Sequence, residues 1–389
     1  MALPVLSYNL RNVRQRWHVT VLAIGGISLV VAVFVILVAL ASGLRIALAA
    51  TGSPQNAIAV QRGSVQELTS GISREDALVL ADDRRVARGA AGRALASPEI
   101  VVAATLPRKA DGTLTNVQFR GVSHMAFEVR AGVKIVAGRA FSPGLTEVIV
   151  GARLPERYSG ADIGSTIRLQ KRDWKIVGVF AAEGSSFESE VWADLDAVAS
   201  AFNREGAYQS VSLRLVDPGT VSAWAGEVAR NPRLRVDLKP ERQFYEDQAG
   251  PVGAALFVLA IFVSFVMAVG AVFGAMNTMY AVVAQRTREI GTLRALGFSR
   301  TSILLSFVVE SMLIALVAGV IGVLLALPAN GLTAATGNVT FSDLAFAFRV
   351  TPRAIAAGLV FALLMGLVGG LLPAFRAARL PITAALREA

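Results

Sequence analysis

Two features of the sequence have chemistry to offer. One is a single carboxylate, Glu310, inside a long apolar run. The other is the arginine-rich segment from Arg286 to Arg300, which lies between two apolar runs. Little else qualifies. There is no cysteine, which excludes disulfides, thiolate metal sites and cysteine nucleophiles. The two histidines, His18 and His124, are too far apart in sequence to suggest a histidine metal cluster. His18 beside Trp17 reads as interfacial, and His124 between Ser123 and Met125 reads as a structural loop residue. Glu183, Glu188, Glu190, Asp194 and Asp196 have the donors for a cation, but they read better as a solvated face or as helix N-terminal charge. No GxxxxGK[ST] loop, GxSxG elbow or HExxH pair occurs. No catalytic, cofactor-binding or metal-binding residue is therefore expected on this chain.

The elements around these residues are those of a membrane protein. Of 389 residues, 54% are hydrophobic and 17% charged, against about 45–50% and about 25% in soluble chains. Four apolar runs stand out: Val19 to Ala41, Gln248 to Gln285, Ile303 to Leu327 and Ala354 to Phe375. The first, about 34 Å long as a helix, crosses a hydrocarbon core of about 30 Å and is too long for a signal-peptide core. It reads as an uncleaved span. The second, about 57 Å as one helix, must tilt, break or project from the membrane. Gly250-Pro251 is the expected break or kink, because proline removes a backbone donor and crowds the preceding turn. Gly270 and Gly274 have the spacing of a close-packing face.

Charge orients the spans. The formal net charge is +10. Arg11, Arg14 and Arg16 precede the first span, Arg286, Arg288, Arg294 and Arg300 lie between the second and third, and Arg376, Arg379 and Arg387 follow the fourth. All fall on one side, the cytoplasmic side by the positive-inside rule, so both termini are expected there. The basic excess then needs no nucleic acid. Glu310 at mid-membrane would cost about 2–3 kcal/mol, and less near the cytoplasmic edge. A fixed partner is expected for it, either Arg294, Arg300 or a helix end; a proton or cation relay is the other reading.

The large outer segment alternates strand-like and helix-like stretches. Strands are expected at Ala57–Gln61, Ile100–Ala104, Asn116–Arg120, Val133–Val136, Glu147–Val150, Thr166–Gln170, Lys175–Phe180, Ser210–Leu215 and Leu234–Leu238. Helices are expected after the capping-box-like Ser73-Arg-Glu-Asp76, at Asp194–Phe202 and at Thr220–Arg230. Ile163–Phe180 reads as a hairpin turning near Lys171-Arg172-Asp173. Division into two lobes near residues 105 and 210 is a further expectation. The fold class is a membrane protein with four transmembrane α-helices and a large extracytoplasmic mixed α/β domain.

Met276 to Arg300, containing Asn277-Thr278 and Arg286-Thr-Arg-Glu-Ile-Gly-Thr-Leu-Arg-Ala-Leu-Gly297, then Ile303–Leu305 and Glu310, resembles the permease subunits of the MacB/FtsX/LolC-like ABC transporters, the mechanotransmission class. Leu372 to Arg387 is similar to that family's closing motif, and Leu6–Arg16 to its cytoplasmic helix. The resemblance implies residues 1–18 as a cytoplasmic amphipathic helix, 19–44 as span one, 45–247 as a periplasmic domain and 248–285 as span two with a stalk. It further implies 286–302 as a coupling loop, 303–327 as span three, 328–353 as a short periplasmic loop, 354–375 as span four and 376–389 as a cytoplasmic tail. A helix from Thr287 to Leu296, ended by Gly297, would dock on an ATPase through Arg288, Glu289, Ile290, Gly291, Leu293, Arg294, Ala295, Leu296 and Gly297.

The implied partners are two ABC ATPase subunits carrying ATP and Mg, a second copy of this chain, membrane lipids, and a periplasmic membrane-fusion protein with an outer-membrane channel. The implied function is ATP-coupled export or extraction of a lipid, lipoprotein, peptide or macrolide-like cargo in a bacterial inner membrane. The rival is an FtsX-like signalling subunit that activates a cell-wall hydrolase. A receptor without an ATPase is a third reading.

Overall fold

A computed structural model describes residues 17–90, 92–335 and 345–381. The expected N-terminal cytoplasmic helix and the end of the closing motif lie outside these residues. Four helices are long and apolar enough to cross a membrane, with spans at Val21–Thr51, Gly253–Gln285, Arg300–Ala329 and Pro352–Ala378. The chain divides into two compact units. One holds residues 1–42, 254–332 and 348–389; the other holds 43–253 and 333–347.

In the helical unit, small residues set the packing. Ile27, Val31, Val35, Ala315, Ala318, Ala362 and Met365 form its core. A Cβ on Gly319 would lie 2.8 Å from the Ala362 Cβ, so the third and fourth long helices approach where a side chain is missing. The Ser28 hydroxyl donates to the Ala318 carbonyl at 2.9 Å and so finds its partner inside the helix packing. The second helix differs. Phe262, Phe265, Val266 and Phe273 are exposed, and a Cβ on Gly270 or Gly274 would meet nothing within 4 Å.

The mixed unit is built on one ten-stranded sheet. Between residues 56 and 240 the strands are β1 Asn56–Gln61, β2 Ile72–Ser73, β3 Ala96–Pro107, β4 Leu114–Val122, β5 Lys134–Gly138, β6 Glu147–Gly151, β7 Thr166–Leu169, β8 Arg172–Ala181, β9 Glu190–Asp194, β10 Ala207–Tyr208, β11 Ser210–Arg214 and β12 Val236–Pro240, all but β2 and β10 belonging to the main sheet. The order in the main sheet is β12-β1-β11-β3-β4-β9-β6-β8-β5, with β7 on β8, while β2 and β10 pair separately. The expected division near residues 105 and 210 is not seen: β3 and β11, which contain or flank those points, pair with each other inside the sheet. The β7–β8 hairpin turns at Gln170-Lys171, both at positive φ, one position before the expected centre. Ser73 caps the helix Arg74–Ala81 by accepting from the Asp76 N–H at 3.1 Å.

The two faces of the sheet differ in chemistry. On one, Val102, Val117, Phe119, Val191 and Ala193 meet Leu195, Ala197 and Val198 of the helix Leu195–Ala201. Ala57, Ala59, Val211 and Leu213 meet Val221, Trp224 and Val228 of the helix Val221–Arg230. Strand alternation sends Asn56, Glu99, Arg120, Glu190, Ser210 and Ser212 to the other face.

The second long helix runs from Glu241 to Gln285 and is helical through Gly250 and Pro251. It starts before the charge-free run and does not begin afresh after the proline. At about 1.5 Å per residue it is about 68 Å long, roughly twice a hydrocarbon core.

Gly366→Leu should lower the melting temperature of the detergent-solubilised chain by the equivalent of about 1–3 kcal/mol, since its added side chain meets Ala315 and Met312. Gly274→Ala should leave it unchanged or raise it, because that position is open and alanine favours helix. Equal effects of the two would contradict this packing.

Candidate functional site

The arginine-rich segment forms a short helix, Thr287–Ala295, after a break at Arg286, where φ is −105° and ψ 13°. Its end is a Schellman motif. The Gly297 N–H donates to the Arg294 carbonyl at 3.1 Å and the Phe298 N–H to the Leu293 carbonyl at 3.1 Å. Gly297 supplies the left-handed φ of +96° that this needs. Ser299 then caps the third long helix through the Ser302 N–H at 3.1 Å.

Two faces of this short helix divide the expected docking residues. Ile290 and Gly291 are buried, and Ile290 packs with Met279, Val283, Ile303, Phe307 and Ala374. They face inward because the short helix packs back onto the second and third long helices. Arg288, Glu289, Ala295 and Gly297 are exposed, and Arg294 is half-buried. Leu293 is 36% exposed and Leu296 73% exposed. Phe298, 53% exposed, was not among the expected residues; its place just after the glycine of a helix stop was the available signal.

Glu310 is buried and pairs with Arg286 at 2.9 Å, not with Arg294 or Arg300. Arg286 also donates to Glu289 at 3.0 Å and lies 5.4 Å from the Phe307 ring centre. The reason is geometric: the helix break brings the Arg286 guanidinium against the third long helix, whereas Arg300 is exposed at that helix's first turn. This is a fixed ion pair joining the second and third long helices.

A second ionic centre lies in the mixed unit and was missed from the sequence. Arg120 is fully buried on β4. Its Nε and Nη2 donate to the two Glu190 oxygens at 2.7 and 2.8 Å. Nη1 donates to Glu67 and to Glu99, each at 2.8 Å. Arg130 pairs with Glu99, and with Glu241 at 3.2 Å. Glu241 opens the second long helix and also accepts from the Ser53 N–H at 3.0 Å, Asn56 Nδ2 at 2.9 Å and Ser212 Oγ at 3.1 Å. One turn on, the Tyr245 hydroxyl donates to Glu67 at 3.2 Å. Phe187 is covered by both guanidiniums, 5.2 and 4.6 Å from its ring centre. The root of that helix is thus keyed, directly or through the two arginines, to five strands of the sheet, β1, β3, β4, β9 and β11.

Electrostatics here are a contest. Burial drives the Glu67 pKa up, but Arg120 outweighs it and holds the carboxyl below its usual range. Burial wins at Glu190, which is raised, with Glu67 adding repulsion. Burial also raises the Tyr245 phenol, aided by Glu67. The sequence reads the acidic patch as solvated, yet Glu188, Glu190 and Asp194 are buried. Glu190 lies on a strand, β9, that the sequence reading did not identify. Asp194 caps the following helix through the Ala197 N–H at 3.2 Å. Among the described residues no acidic or histidine group is arranged to hold a metal. His124 packs edge-on against Phe127, with ring centres 5.9 Å apart.

Two family models match the chain: the MacB-like periplasmic core domain over residues 20–231 and the FtsX-like permease C-terminal region over residues 261–382. Among similar proteins, the macrolide export ATP-binding/permease protein MacB of Rhodopseudomonas palustris is 28% identical over 75% of this chain and 46% of its own length. Its namesake in Acinetobacter baylyi is 30% identical over 69% and 42%. The pyoverdine export ATP-binding/permease protein PvdT of Pseudomonas entomophila is 27% identical over 65% and 40%. The chain spans less than half the length of these relatives. The periplasmic region of MacB from Actinobacillus actinomycetemcomitans aligns with 52% of this chain and 95% of its own at 12% identity, with a TM-score of 0.38.

Arg120→Leu should destabilise the mixed unit by about 3–5 kcal/mol at neutral pH, because it strands buried carboxylates. Their folded-state pKa values then rise above the unfolded ones, so part of the loss should return as pH falls. Thermal melts of the full chain at neutral and mildly acidic pH read both effects; unchanged melting at neutral pH contradicts the assignment.

Proposed function

The chain belongs to the MacB/FtsX-like family of ABC transporter permeases, and from that premise we propose that it is the membrane subunit that couples ATP hydrolysis on a separate nucleotide-binding subunit to movement of its mixed α/β domain. The observation that carries this reading is the divided short helix Thr287–Ala295. Its inner residue, Ile290, is locked into the helical unit, while Leu293, Leu296 and Phe298 are exposed beside Arg288 and Glu289. Three exposed apolar side chains flanked by charge are the composition of a docking surface. A push on this helix acts on the second and third long helices through Ile290 and the Arg286–Glu310 pair.

The second long helix is continuous from this loop to Glu241 and Tyr245. Its root is held by the Arg120–Arg130 network. ATP and Mg act on the partner. Two copies of this chain would serve the two ATPase subunits, in a bacterial inner membrane with both termini cytoplasmic. The cargo is a lipid, lipoprotein, peptide or macrolide-like compound handled on the outer side, since the described spans hold one carboxylate, Glu310, already paired.

Affinity purification of the tagged chain from native membranes, read by mass spectrometry, tests the docking face. Wild type should recover a Walker-type ATPase. Leu293→Asp/Leu296→Asp should lose it with an unchanged melting temperature, because both positions are exposed. Ile290→Asp should instead lower the yield of folded protein, by about 2–5 kcal/mol of lost core packing. Recovery of the same ATPase by the double variant would sink the docking assignment.

A further inference from the structure

The mixed unit contains a cavity of about 470 Å3 where the chain enters from the first long helix and leaves by the second. Its walls come from Ile46–Gln55, from residues 129–133 and 182–187, and from Glu241 and Arg242. The lining has two characters. Ile46, Ala49, Val133 and Phe187 form an apolar wall, and Ile46 and Ala49 belong to the last turns of a helix long enough to cross a membrane. Three guanidiniums, of Arg130, Arg214 and Arg242, form the rest of its basic lining.

Carboxylates pair with two of these cations, Arg130 with Glu99 and Glu241, and Arg242 with Glu246 at 3.0 Å, whereas Arg214 donates to the Gln55 side chain and the Glu128 carbonyl. Glu241 has both oxygens saturated by Ser53, Asn56, Ser212 and Arg130. Glu183, also in the lining, is exposed, with a φ of +52° that is uncommon for a non-glycine residue. Two buried donors in the lining have no partner in the protein: Arg130 Nε and the Ser185 hydroxyl. Arg130 is 5% exposed and Ser185 2%. Leaving such donors unpaired costs about 1–3 kcal/mol each, a cost removed by an acceptor in the cavity.

We propose that this cavity binds a phosphate group, carried on the headgroup of a membrane phospholipid whose chains lie against the Ile46 wall. Arg130 Nε and Ser185 donate to phosphate oxygens, Arg214 supplies the charge that no carboxylate pairs, and Arg242 contributes by turning from Glu246 to the phosphate. An oxyanion with several acceptors suits two convergent donors, and a guanidinium suits phosphate better than an ammonium does. The site is independent of the ATPase-docking reading, since it uses no residue of the short helix.

The full chain is reconstituted in phosphatidylcholine nanodiscs doped with a photoreactive phosphatidylglycerol, and crosslinked peptides are mapped. Label is expected within residues 46–55, 129–133 or 182–187. It should fall about tenfold in Ser185→Ala/Arg214→Gln/Arg242→Gln, the loss that removing a charge-assisted hydrogen bond gives. If that variant melts early, Arg214→Gln/Arg242→Gln, which leaves the buried Ser185 intact, is used instead. In a second arm, inorganic phosphate is added to delipidated protein in detergent. Phosphate that raises the melting temperature of wild type but not of the variant, without lipid label, keeps the phosphate site and assigns it a soluble source. Equal labelling of wild type and variant, or no response to either probe, overturns the proposal.

Discussion

One buried guanidinium orders the outer domain. Arg120 is shared by Glu67, Glu99 and Glu190, which come from a short 310 turn and two different strands. Removing such charges from water costs several kcal/mol per ion, so the network adds little net stability. Its effect is on arrangement. A strand shifted by one residue would turn Arg120 or Glu190 to the apolar face, where Phe119 and Val191 belong. The same network takes in Glu241 through Arg130 and Tyr245 through Glu67. The register of the sheet and the seat of the second long helix are therefore fixed by one set of ions. Gly52 adds to this seat: a Cβ there would collide with the backbone at Glu241 and Arg242, so the two helix ends can meet only at a glycine.

The helical unit uses a smaller version of the same device. Arg286 and Glu310 tie the end of the second helix to the third inside an otherwise apolar packing. The short helix between them is capped at its end by the Gly297 turn and pinned at Ile290. Elsewhere in the unit the helices meet through glycine, alanine and serine, which gain contact area without burying further charge.

Much of this was legible in the residues. Four long apolar runs, the arginines at their ends and the Arg286–Gly297 motif determined the span count, the family and the place of the short helix Thr287–Ala295, because hydropathy and local turn chemistry act over a few residues. The strands at Ala57–Gln61 and Glu147–Val150 and the caps at Ser73 and Asp194 were legible for the same reason. Period-two alternation and capping are local properties.

What the tertiary structure decided was the pairing of charges and the direction of faces. Ile290, Leu293 and Leu296 are chemically alike in sequence, and only packing against Val283, Ile303 and Phe307 makes the first a strut and leaves the others exposed. Glu310 had three plausible partners, and the helix break at Arg286 selected one outside that set. Glu190 read as part of a solvated acidic patch because its counterion lies 70 positions away on another strand. A sequence records which residues carry charge. Which of them meet is settled by strand register and helix crossing, and these depend on contacts too distant in the chain for any local pattern to encode.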